Sequence, residues 1–91
     1  MKTIVLDGKD FTNMEQLHLI FKSALNLPDY YGKNLDALWD CLTGEIELPL
    51  TVVWSNFQDS KTNLGDYADK TLQLLLKAEK YFNGELKVEF Y

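Results

Sequence analysis

The chain has 91 residues, 46% hydrophobic, 13% aromatic and 25% charged, a composition that fits one folded domain over residues 1–91 and excludes intrinsic disorder or a second independent core. Fourteen acidic residues against nine basic ones give a net charge of −5, and every basic residue is a lysine. Nucleic-acid binders need cations for phosphates and usually arginine forks for bases, so this balance argues against that class and points to a basic partner.

In chain order, Thr3 to Leu6 is a short apolar and β-branched run closed by Asp7-Gly8, and it reads as a strand. A helix follows, opened by a capping box of Thr12 with Glu15 or Asn13 with Gln16. Its apolar face is Met14, Leu17, Ile20, Phe21, Ala24 and Leu25, and Asn26 with Pro28 ends it. Residues 29–33 read as a loop. Asn34 is the expected N-cap of a second helix running to Thr43, with Gly44 as its stop. Leu48 to Trp54 contains Leu50-Thr51-Val52-Val53-Trp54, a continuous apolar and β-branched run as in a strand covered on both faces, with Pro49 confined to its start. A short helical turn is expected over Asn56 to Lys61 and a loop over Thr62 to Asp66. A long amphipathic helix then spans Tyr67 to Phe82, and Leu86, Val88 and Phe90 mark a half-exposed final strand. This order predicts an α/β fold with a three-stranded parallel sheet covered by helices, the first strand in the middle.

The charge is localised. Residues 29–47 hold Asp29, Asp36, Asp40, Glu45 and Glu47 against Lys33 alone, a local net of −4, while the rest of the chain nets −1. On the second helix, Leu35, Leu38 and Leu42 form one stripe and Asp36 and Asp40 stack four apart on another. Asp36 in the first turn favours the helix dipole. Asp40 has no such benefit, and carboxylates at i and i+4 repel by a few tenths of a kcal/mol. Tyr30, Tyr31 and Gly32 precede the helix, so aromatics, a glycine and paired acids together offer either a solvated face or a binding surface. By burial tendency Tyr31 and Trp39 are expected in the core, and His18 at the surface or its boundary.

The run from Leu27 to Gly44, Leu-Pro-Asp-Tyr-Tyr-Gly-Lys-Asn-Leu-Asp-Ala-Leu-Trp-Asp-Cys-Leu-Thr-Gly, resembles the inhibitory segment of the barstar family, intracellular inhibitors of barnase-type bacterial ribonucleases. Pro49, Trp54, Phe57 and Ser60-Lys61 extend the resemblance more weakly along the chain. It implies a barstar-like fold and an inhibitor that binds one extracellular ribonuclease per monomer. Asp40 matches the carboxylate that enters the enzyme's phosphate-binding pocket, Asp36 a second aspartate at its rim, and Tyr30 a tyrosine that packs on the catalytic histidine. Gly32, Asn34, Leu35, Trp39, Thr43 and Gly44 match further interface positions. Three positions depart from the family pattern: Glu45 stands in place of a tryptophan, and Lys33 and Lys77 in place of glutamates.

Competing chemistries are poorly provided for. Asp36 and Asp40 lack the cleft and nucleophile that an acid–base pair requires. One histidine and one cysteine supply neither a metal-ligand cluster nor a disulfide, and no phosphate loop occurs; no cofactor is expected. The first apolar run is too short for a signal peptide and no run nears the ~20 residues of a membrane span, so the expected compartment is the cytoplasm. A general interaction domain binding another basic protein is the remaining alternative.

Overall fold

The computed structural model describes residues 2–44 and 46–91; the predicted departure at Glu45 lies outside them. The elements are β1 (Lys2–Asp7), α1 (Met14–Ala24), α2 (Leu35–Gly44), β2 (Leu50–Ser55), α3 (Phe57–Leu64), α4 (Asp66–Tyr81) and β3 (Leu86–Phe90). The three strands are all parallel, as expected, but their order is β1-β2-β3. The central position belongs to β2 and not to the first strand.

Burial explains this order. In β2, Leu50, Thr51, Val52 and Trp54 are buried, whereas β1 exposes Thr3 and Val5 and β3 exposes Lys87 and Glu89. The most apolar strand takes the place with neighbours on both sides. Register aligns Ile4 with Val52 and Val88, and Val5 with Val53 and Glu89. Ile4, Leu6, Leu50, Val52, Trp54 and Leu86 therefore share the buried face, while the alternate positions form an outer face with exposed Thr3, Val5, Lys87 and Glu89. Two successive right-handed crossovers that step in the same direction lay their helices on one face. This corrects the expectation of a strand covered on both faces.

The local signals act as their chemistry requires. Asn13 caps α1, its Oδ1 accepting from the Gln16 N–H at 2.9 Å, while Gln16 Oε1 reaches back to the Thr12 N–H at 2.8 Å. The second of the two possible capping boxes is the one used. The segment from Phe57 to Leu64 is a full helix rather than a turn followed by loop. Gly65, at φ 60° and ψ −137°, turns the chain directly into α4. Gly8 lies so close to the carbonyl oxygen of Asn56 that any Cβ there would overlap it.

Leu17 and Phe21 of α1, Leu38 and Leu42 of α2, and Leu72 and Leu75 of α4 meet the inner strand residues in a single core around Trp54. The Trp54 indole N–H donates to Ser60 Oγ at 2.9 Å, which ties α3 to the central strand. At the sheet edge, Glu79 Oε2 accepts from the Val88 N–H at 2.7 Å. That contact fixes α4 against β3.

Candidate functional site

The loop of residues 28–34 and helix α2 form one unit. Asn34 caps the helix as its sequence position predicts, with Oδ1 accepting from the Ala37 N–H at 2.8 Å. The same side chain donates from Nδ2 to the Gly32 carbonyl at 3.3 Å, so it also pins the loop to the helix. Lys33 between them adopts φ 53°, a left-handed conformation costing a lysine roughly 1–2 kcal/mol. Two asparagine hydrogen bonds hold the chain through that strained position. The Leu38 and Leu42 stripe is buried beneath α2, leaving Asp36 and Asp40 exposed on its outer face.

A buried cluster behind the loop fixes its other side. His18 is 0% exposed, which corrects the expectation of a surface or boundary histidine. Its Nδ1 lies 2.6 Å from the Tyr31 hydroxyl and its Nε2 2.6 Å from the Tyr67 hydroxyl. A neutral imidazole has one N–H and one lone pair, so one tyrosine accepts and the other donates. Both ring nitrogens are satisfied, and a polar side chain can occupy the core without the cost of an unmade hydrogen bond. Burial lowers the His18 pKa and raises those of both tyrosines, with Cys41 and Tyr67 adding to the rise at Tyr31. The cluster thus joins α1, the loop and α4 in uncharged form.

Tyr31 is buried at 5% exposure, whereas its neighbour Tyr30 is 78% exposed. The buried tyrosine anchors the loop and the exposed one is displayed. A hollow of about 420 Å³ is lined by Tyr30, Tyr31, Gly32, Ala37, Asp40 and Cys41. A second, about 530 Å³, runs between α2 and α4, lined by Leu35, Asp36, Trp39, Asp40, Lys70, Gln73, Leu74 and Lys77. Asp40 borders both. Among the described residues neither Asp36 nor Asp40 takes part in an ion pair.

Trp39 is half-buried rather than in the core, with Lys77 Nζ 4.9 Å from its ring centre and the Tyr81 ring 5.8 Å away. The partly buried Thr43 folds its hydroxyl back onto its own helix, donating to the Trp39 carbonyl at 2.8 Å. Thr43 and Gly44 line neither hollow, so the structure gathers Tyr30, Gly32, Leu35, Asp36, Trp39 and Asp40 more closely than these two. The α4 wall of the second groove was not anticipated as a whole. The spacing of Lys70 and Lys77, seven apart and so nearly eclipsed on a helix, was its sequence signal.

Among the described residues, no group of three or more His, Cys, Asp or Glu side chains could hold a metal ion, and no helix is long and apolar enough to cross a membrane. The arrangement offers a rigid, exposed carboxylate with a second acid one turn away and an aromatic ring beside it. Such a surface suits a cationic pocket. In comparison with known proteins, the family described as Barstar (barnase inhibitor) matches over residues 1–91. A Bacillus subtilis (strain 168) protein named "Putative ribonuclease inhibitor YrdF" is 52% identical over 88 residues, covering 97% of this chain and 97% of that protein.

Proposed function

The chain belongs to the barstar family, and from that premise we propose that it inhibits a barnase-like ribonuclease by inserting Asp40 into the enzyme's phosphate-binding site. The observation that carries this reading is Asp40 itself. It is exposed, outside every ion pair among the described residues, and borders both hollows of the site. A ribonuclease must hold phosphate with cations, and a carboxylate presents acceptor oxygens to the same groups. Asp36 adds a second charge at the rim, and Tyr30 supplies an aromatic face for a ring of the enzyme.

Rigidity makes the plug effective. The leucine stripe, the Asn34 cap and the His18 cluster fix the segment before a partner arrives, which limits the ordering cost of association. A standard interface takes about 800 Å² from each partner, a modest share of the 5299 Å² surface. One helix with its loop can supply it, in a 1:1 complex of two monomers. Gly32, Asn34, Leu35, Trp39, Thr43 and Gly44 complete the proposed contact surface, Asn34 and Thr43 chiefly by holding its shape. The inhibitor acts in the cytoplasm, as immunity against a nuclease destined for secretion, and has no catalytic step of its own.

The test is titration of barnase activity with the purified protein. Stoichiometric loss of activity is expected, and full activity in excess protein would favour a different basic partner. Asp40→Ala should weaken inhibition by more than about 2 kcal/mol, or roughly thirtyfold, because buried enzyme cations lose their counter-charge. A folded Asp40→Ala protein that inhibits as before would refute the anchor assignment.

A further inference from the structure

Helix α4 carries six charged residues, and the structure sorts them by sign. Its acids are engaged away from α2: Asp66 and Asp69 pair with Lys61 of α3, and Glu79 caps the Val88 N–H of β3. Two of its lysines, Lys70 and Lys77, line the groove that Asp36 and Asp40 border, and Lys80 lies with Lys77 along the adjoining hollow. All three lysines are exposed. Among the described residues, no ion pair joins them to the aspartates across the groove. Lys77 is held over the Trp39 ring, a cation–π contact that keeps its ammonium beside the acidic helix.

The face is therefore bipolar, with an acidic half on α2 and a cationic half on α4. We propose that Lys70 and Lys77 face the rim of the bound ribonuclease and make the inhibitor select enzymes that carry a carboxylate there, next to their basic phosphate pocket. This rests on the reading that Asp40 occupies that pocket. Its chemistry is discrimination by sign: a cationic rim opposite Lys70 and Lys77 brings like charges together, which slows encounter and penalises the complex, whereas an acidic rim does the reverse. Among the described residues neither lysine is in an ion pair, and Lys70 is exposed, so its charge can be changed without breaking a contact of the fold.

The experiment uses barnase and a set of barnase variants, each with one Lys or Arg around the active-site rim changed to Glu. Each is titrated with the wild-type inhibitor, with Lys70→Glu, and with the Lys70→Glu/Lys77→Glu double variant, all checked for folding by circular dichroism. Lys70→Glu leaves the Trp39 contact intact and separates charge from packing. At one or more rim positions, the new glutamate should favour the wild-type inhibitor over the double variant by at least tenfold more than unaltered barnase does, with Lys70→Glu intermediate. Coupling within twofold at every position, with wild-type inhibition intact, overturns the inference and leaves the role of Asp40 standing. Failure of the wild-type protein to inhibit barnase or any variant removes the premise and the inference together.

Discussion

Changing Tyr31 to phenylalanine removes a single oxygen from the protein and breaks the link between the core and the displayed loop. Tyr31 is 5% exposed and His18 fully buried, with the hydroxyl 2.6 Å from His18 Nδ1. Phenylalanine fills nearly the same space, so packing changes little and the loss falls on the orphaned ring nitrogen. An unsatisfied buried polar group costs about 1–3 kcal/mol. A chain of this length has roughly 5–14 kcal/mol of total stability, so the fold survives while its melting temperature drops by about 4–8 °C per kcal/mol. Tyr67→Phe is the internal control. It orphans Nε2 instead, but Tyr67 is only half-buried, so with its hydroxyl gone a water has a shorter path to that nitrogen and the cost should be smaller. Because Tyr31 sits between Tyr30 and Gly32, its release also loosens the proposed contact surface. Re-ordering that loop on binding costs about 0.5–1.5 kcal/mol, a roughly two- to tenfold loss of inhibition. Urea unfolding and barnase titration on the two variants measure both effects. Equal destabilisation by Tyr31→Phe and Tyr67→Phe, or none by the former, would refute the reasoning.

Stability should also depend on pH through His18. Burial holds its folded pKa below the usual 6.5, so the unfolded chain takes up a proton first. The stabilisation is complete above pH ~6.5 and is lost as pH falls towards the folded value, with a slope no steeper than about 1.4 kcal/mol per pH unit for one proton; urea midpoints that stay flat from pH 7 to 5 would contradict it. Gly8→Ala should destabilise by at least about 1–3 kcal/mol, because the added methyl meets the Asn56 carbonyl oxygen, which the backbone cannot withdraw; an unchanged urea midpoint refutes the close approach. Association with barnase should slow steeply with added salt, since fields from the acidic segment are screened over ~10 Å at 0.1 M. A rate independent of ionic strength argues against steering by Asp36 and Asp40.

The parts of this molecule that were legible in its sequence are those set by near neighbours. Helical spacing picked out Leu17 and Phe21, the Leu38 and Leu42 stripe, and the Asp36 and Asp40 face, because each pattern closes within two turns. Asn34 was legible as a cap for the same reason. His18 was not, since its partners lie 13 and 49 residues away, and a histidine between two leucines gives no sign of which hydroxyls will meet it. Strand order was hidden similarly. It depends on the direction of the second crossover, although the absence of any charge from Leu50 to Trp54 was a clue that this strand takes the centre. The extent of α3 was missed because Phe57–Leu64 is mostly polar and has no sustained apolar period. Its ends are set from outside, by the Trp54 contact with Ser60 and the turn at Gly65.

The division of roles along residues 28–44 explains why a mildly unfavourable charge pattern can be kept. Asp36 and Asp40 repel each other at i and i+4 and, among the described residues, form no ion pair. The segment is held by other groups: leucines below, Asn34 at the start and the His18 cluster behind the loop. A few tenths of a kcal/mol of repulsion is small beside those contacts, so the acids can be placed for a partner rather than for the fold. The contrast with α4 is instructive, because there the carboxylates pair with Lys61 or cap β3, and Lys70 and Lys77 are the charged groups left on the groove. The acids of α4 that serve this fold reach away from the groove, to Lys61 of α3 and to the Val88 N–H of β3. Asp36, Asp40, Lys70 and Lys77, which form no ion pair among the described residues, border one groove, where a second protein can use them.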